Sequence, residues 1–303
     1  MPSHPHNAKP SRIPDAETGH IARKLLDQPY ASVSPAQQLD IYWPLEGDGP
    51  FPVIMSIHGG AFKGGNKRDM QLTPMLKGLG RGYAVVSINY RMSGEAIFPA
   101  LVQDMKAAIR WVRASAEKHM FDPDRIAVWG GSAGGYQTLM AGVSEGIEEL
   151  DDPSLGNADY SSAVQAVVAW FPPTNFLLMD EHLEASGLKQ EPGPDHSGPQ
   201  SPESLILGAP ITEIPDIVKA ANPETYVRPG LPPMFIQHGN ADSTVPYQGS
   251  LTFACKLAAA NGQDSVTYEI LLNAKHGHEE PLFNTPENLD KVFAFIDAAL
   301  GVR

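Results

Sequence analysis

The chain has 303 residues, 42% of them hydrophobic and 19% charged, with a formal net charge of −13. This composition supplies a large core, and one α/β domain of this length is ordinary. The acidic balance argues against a nucleic-acid-binding surface, and the lack of any run of eighteen apolar residues argues against a membrane span.

The opening stretch MPSHPHNAKPSRIPDAETGH has no apolar signal core, which predicts a cytoplasmic protein. His4 and His6 fall in a proline-rich, disordered end rather than a metal-binding tail. Residues 1–29 read as an N-terminal extension and 30–303 as a single domain. Six apolar runs follow: 51–60, 83–91, 125–132, 164–172, 232–239 and 266–273. They are continuous rather than alternating, as in strands covered on both faces, so a mainly parallel sheet is expected. Helical patterns lie between them. In 99–117, Leu101, Met105, Ala108, Ile109 and Val112 share one face. Residues 250–261 and 289–300 repeat the pattern, the latter opened by Pro286 and Glu287. The lone Cys255 excludes an internal disulfide, and its neighbours Leu251, Phe253, Ala254 and Leu257 mark it as a small apolar residue. Residues 172–230 break the rhythm with a Pro/Gly/Ser-rich stretch and short helical pieces, and read as a small cap. Strand–helix alternation of this length predicts a doubly wound α/β fold.

Gly130-Gly131-Ser132-Ala133-Gly134 fits G-x-S-x-G, between the strand RIAVW and the helical YQTLMAGV. In that context a sharp turn presents the serine hydroxyl, and glycines two positions away avoid collision. A phosphate loop would need G-x-G-x-x-G or a lysine after the glycines, and Tyr136 follows Gly135 instead. A serine needs a base, and a base needs an orienting carboxylate. Beyond the strand ending at His238-Gly239 stands Asp242, and beyond the last strand stands His276. The order serine, acid, histidine is the one this fold requires. Asp242 also suits a plain turn aspartate, and Asp216 and Asp264 are less well placed. His278 competes with His276; a His-x-His pair without further ligands at metal-like spacing predicts no metal. The glycines of HGGAF (58–62) let backbone N–H groups approach an oxyanion, which assigns Gly60 and Ala61, with Ala133 from the elbow, to an oxyanion hole. His58 reads as a structural anchor of that loop.

With QQLDIYWP (37–44), INYRMS…FPA (88–100), SPESLILG (201–208), ANPETYV (221–227), HGNADSTVP (238–246) and KHGH (275–278), the chain resembles the α/β-hydrolases. Within that superfamily it is similar to the esterase/lipase group with hormone-sensitive-lipase-like enzymes and bacterial feruloyl and acetyl esterases, over residues 30–300. The resemblance implies Ser132 as nucleophile, Asp242 as acid and His276 as base, with no cofactor. It departs from the lipase pattern at Ala61, where a third glycine is usual, and at His278, where an aromatic is usual. The expected activity is hydrolysis of small to medium carboxylic esters through an acyl-serine intermediate. The alternatives are an aryl formamidase or amide hydrolase on the same residues, or a non-catalytic ligand-binding protein. HGNADSTVP also resembles prolyl-oligopeptidase-like peptidases, but no propeller precedes it. Phe62, Met179 and His182 are candidate substrate contacts. By analogy with such folds a homodimer is possible.

Overall fold

Four strands buried at every residue set the plan: β3 (Phe51–Ile57), β4 (Ala84–Ile88), β6 (Ala166–Trp170) and β7 (Met234–Gly239). Strands covered on both faces need helices on both sides, hence parallel crossovers. The computed structural model describes residues 13–188 and 195–302. These strands combine with β1 (Lys24–Pro29), β2 (Gln38–Tyr42), β5 (Phe121–Gly131) and β8 (Val266–Leu271) into an eight-stranded sheet of order β1-β2-β4-β3-β5-β6-β7-β8. The first two strands pair antiparallel, and every pair from β4 onward is parallel.

The described helices are α1 (Thr73–Leu76), α2 (Ala100–Ala114), α3 (Ala116–His119), α4 (Ala133–Val143), α5 (Met179–Ser186), α6 (Pro202–Leu207), α7 (Pro215–Ala221), α8 (Tyr247–Asn261) and α9 (Pro286–Leu300). Side chains alternate across the strands, so Val53, Met55 and Ile57 join the core formed with α2, α4 and α8, while Ile54 joins the one beneath α9. Helix α9 opens at Pro286, as the sequence predicts, and Thr285 caps it by accepting from the Asn288 N–H. Helices α5 to α7 occupy the segment between β6 and β7. Among the described residues no helix is long and apolar enough to cross a membrane.

The structure corrects three readings. Strand β1 lies inside the stretch assigned to the extension; its edge position leaves it half-exposed and erases the apolar signal. Cys255 is exposed, because α8 turns Phe253, Ala254 and Leu257 to the core and Cys255 to solvent. Strand β5 begins at Phe121, four residues before the expected start. His4 and His6 lie outside the described residues, as does part of the Pro/Gly/Ser-rich stretch.

Candidate active site

The loops following β3, β5, β7 and β8 all leave the sheet at its C-terminal edge, where doubly wound folds gather their ligand sites. On the β5 loop Ser132 has φ 56° and ψ −125°, in the half of backbone space that a side chain rarely adopts. The strain is held from both sides. The Ser132 N–H donates to the Trp170 carbonyl at 2.9 Å, and its own carbonyl accepts from the Tyr136 N–H at 2.9 Å. Helix α4 starts at Ala133, so the elbow sits at a helix N-terminus, whose first N–H groups lack intrahelical acceptors.

His276 bridges the serine and the acid. Its Nε2 lies 3.0 Å from Ser132 Oγ and its Nδ1 2.7 Å from Asp242 Oδ2. A carboxylate can only accept, so Nδ1 carries the hydrogen and Nε2 is left as a bare acceptor facing Ser132 Oγ. Asp242 is fully buried, and its Oδ1 accepts from the Thr244 and Val245 N–H groups at 2.9 and 2.8 Å. Burial alone pushes its carboxyl up, but the His276 charge and hydrogen bonds from His238 and His276 outweigh it. The net result holds Asp242 well below the usual carboxylate range. His278 takes no part in this chain. Its ring sits edge-on to Phe171, both nitrogens are buried without a hydrogen-bond partner among the described residues, and burial drives its pKa down to about 3.

Opposite the elbow, Gly60, Ala61 and Phe62 run through positive φ values of 128°, 54° and 58°. The loop closes on itself through the Lys63 and Gly64 N–H groups, both donating to the Gly60 carbonyl at 3.0 Å. A Cβ on Gly60 would meet the Gly64 carbonyl oxygen at 2.1 Å, so glycine is required there on steric as well as conformational grounds. The Tyr90 hydroxyl donates to the His58 carbonyl at 2.8 Å, and the two rings stack at 4.6 Å, which anchors the loop at its start.

A cavity of about 350 Å³ opens over these groups, lined among others by Ile13, Gly60, Ala61, Met70, Ser132 and His276. Phe62, Met179 and His182 do not line it. Phe62 is buried against Tyr136 and Phe176, Met179 is buried in the same core, and the His182 carbonyl accepts from Ser186 Oγ and Gln248 Nε2. The expectation that Phe62 and Met179 face substrate is therefore corrected, since both fill the core under the β6–β7 insertion; His182 is likewise absent from the lining of this cavity. Gln71 does line the cavity, although nothing in the sequence marks it. Its Oε1 accepts from the Gly59 N–H at 2.7 Å, and its Nε2 donates to buried Asp69 at 3.0 Å. Only the return of the loop onto β3 brings these residues together. Among the described residues no group of three His, Cys, Asp or Glu is placed to hold a metal ion.

The BD-FAE family model matches residues 39–257, well over half of the chain. The chain belongs to the BD-FAE family. A model described as the prolyl oligopeptidase family matches residues 212–303, the part carrying Asp242 and His276. Among curated relatives, Esterase LipQ of Mycobacterium tuberculosis is 32% identical over 281 residues, covering 91% of this chain and 60% of that protein. The chain spans 54–60% of the length of the first three curated relatives it matches. A truncated carbohydrate esterase from gut microbiota superposes with a TM-score of 0.82 at 29% identity, covering 96% of this chain and all of that one. Thermogutta terrifontis esterase 2 phosphonylated by sarin superposes at 0.71 with 27% identity, covering 93% of this chain and 97% of that one. This BD-FAE member thus has the α/β-hydrolase fold, with its mostly parallel eight-stranded sheet.

Proposed function

We propose that this BD-FAE member is a serine hydrolase of small to medium carboxylic esters, with Ser132 as nucleophile, His276 as base and Asp242 as its orienting acid. The observation that carries this reading is the continuous chain Asp242 Oδ2, His276 Nδ1, His276 Nε2, Ser132 Oγ, with separations of 2.7 and 3.0 Å. His276 takes the Ser132 proton as Oγ attacks the ester carbonyl. The developing oxyanion is received by the N–H groups of the Gly60–Ala61 loop and of Ala133, which are oriented before the reaction begins. His276 then protonates the departing alcohol, and water repeats the sequence on the acyl-serine. Asp242 stays ionised and stabilises the imidazolium, in keeping with its depressed pKa.

The names of the relatives support the bond type: they include several esterases and a carbohydrate esterase, and the sarin adduct of one neighbour is what an activated nucleophile gives. A cavity near 350 Å³ supports small substrates such as acetyl or aryl esters. The described residues of 172–230 form a cap beside this cavity. In support, the carboxylate of Asp180 accepts from the His196 and Ser197 N–H groups at 2.8 Å, and His196 Nε2 lies 2.9 Å from the carbonyl of cavity-lining Thr244.

The test is Ser132→Ala assayed on p-nitrophenyl acetate, beside mass labelling of the parent by an organophosphonate. Loss of the nucleophile lowers kcat by roughly 10⁶-fold. A variant as active as the parent, or a parent that stays unlabelled, defeats the proposal.

A further inference from the structure

Asp242 faces two imidazoles, and only one of them is used by the reaction proposed above. His238, the next-to-last residue of β7, is fully buried, and its Nε2 lies 3.2 Å from Asp242 Oδ2, the same oxygen that accepts from His276. The tautomer follows from the surroundings. Nε2 faces two acceptors, the carboxylate and the Val245 carbonyl at 2.9 Å, so it must carry a hydrogen. Nδ1 lies 2.7 Å from Ser250 Oγ in α8, whose hydroxyl supplies the hydrogen for that contact. Ser250 Oγ also lies 3.3 Å from the Pro172 carbonyl, but its one hydrogen is committed to the closer Nδ1. The His238 ring therefore ties the acid-bearing loop to β7 and α8.

We propose that His238 is a positioning residue for the proposed hydrolysis: its one Nε2–H, shared between the Val245 carbonyl at 2.9 Å and Asp242 Oδ2 at 3.2 Å, draws that oxygen toward the imidazoles and supports the negative charge that orients the base. The two oxygens divide the work. Oδ1 is held by two backbone N–H groups of its own loop. Among the described residues Oδ2 meets the two imidazoles and no backbone donor. Without His238, His276 is the one described residue left holding Oδ2, and the residue being oriented must do the orienting. The lowered Asp242 pKa, to which His238 contributes by hydrogen bonding, agrees with this role. Asp242 is the one charged group at hydrogen-bonding distance from the His238 ring among the described residues.

This inference rests on the Ser132–His276–Asp242 reading, and the experiment separates the two. The variants are His238→Phe, His238→Asn and His238→Gln, assayed on p-nitrophenyl acetate beside Ser132→Ala. Glutamine can place an amide N–H near the former Nε2 and reach Asp242 and Val245; asparagine is too short, and phenylalanine keeps the ring without the donor. Loss of a hydrogen bond to a charged group predicts a roughly ten- to hundredfold fall in kcat for Phe and Asn, with KM within about twofold, and recovery of most of the loss by Gln. If Phe fails to fold, the Asn-against-Gln comparison decides. Parent-like kcat in Asn or Phe, or a Gln variant as slow as Asn at equal thermal stability, overturns the role of His238. Undiminished turnover by Ser132→Ala overturns the underlying reading instead.

Discussion

Replacing Gly134 by alanine probes how the elbow is built. Gly134 has no positive φ, so its requirement is one of space rather than of backbone freedom. A Cβ placed there would stand 2.1 Å from the Ile57 carbonyl oxygen and 2.8 Å from the His58 carbonyl carbon and oxygen. Carbon–oxygen contacts settle near about 3.3 Å, so α4 and the end of β3 must part by roughly 1 Å. The opposing atoms are backbone and cannot rotate away, which puts the cost at the upper end of the overpacking range, about 3 kcal/mol. That corresponds to a fall in Tm of roughly 5 °C for a domain of this size. Ser132 rides on the same helix start, so a displacement near 1 Å also costs about 10²-fold in kcat. Gly142, two turns along α4, is the control: its Cβ would meet Met234 Cε at 2.7 Å and Val167 Cγ2 at 2.9 Å, side-chain ends of which the methionine can swing aside. Calorimetry and p-nitrophenyl acetate turnover on both alanine variants give the answer. A Gly134→Ala protein with parental Tm and kcat, or a Gly142→Ala protein that suffers more, refutes the steric account.

Three further expectations follow from the same region. Burial lowers His58 to about 4 and His278 to about 3. The unfolded chain protonates both near the ordinary histidine pKa, so the folded state loses about 1.4 kcal/mol per pH unit for each as pH falls from 6 to 4. Urea unfolding across that window should show the slope, and His278→Phe should reduce it; stability that stays flat below pH 6 would rule the linkage out. Gln71→Leu leaves the buried Gly59 N–H without its acceptor, at about 1–3 kcal/mol, and loosens the glycine loop. Its signature is a lowered kcat with KM little changed, and a rise in KM alone would remove Gln71 from that role. Met70→Trp narrows the cavity, cutting kcat/KM for bulky esters by roughly tenfold while sparing acetate. An equal loss for both would place Met70 outside the substrate path.

The sequence by itself determined the parallel core and the chain order of the groups proposed to react. Strands such as Phe51–Ile57 and Ala166–Trp170 are buried on both faces, and that burial is written as an unbroken apolar run. The glycines around Ser132 are dictated by local sterics, so the elbow is legible from a dozen residues. Tertiary structure decided whatever depends on which surfaces meet. KHGH offers two histidines, and only the path of the loop after β8 brings His276 to Ser132 and leaves His278 against Phe171. Phe62 and Met179 carry the same apolar chemistry whether they face substrate or core, and the packing of the β6–β7 insertion chose the core. Edge strand β1 has no apolar signature because half its surface stays wet. Gln71 and His238 owe their partners to register between segments separated along the chain by a helix or a turn. Short-range patterns report how deeply a segment is buried; they carry no information about which distant atom will lie within three ångströms of a given side chain.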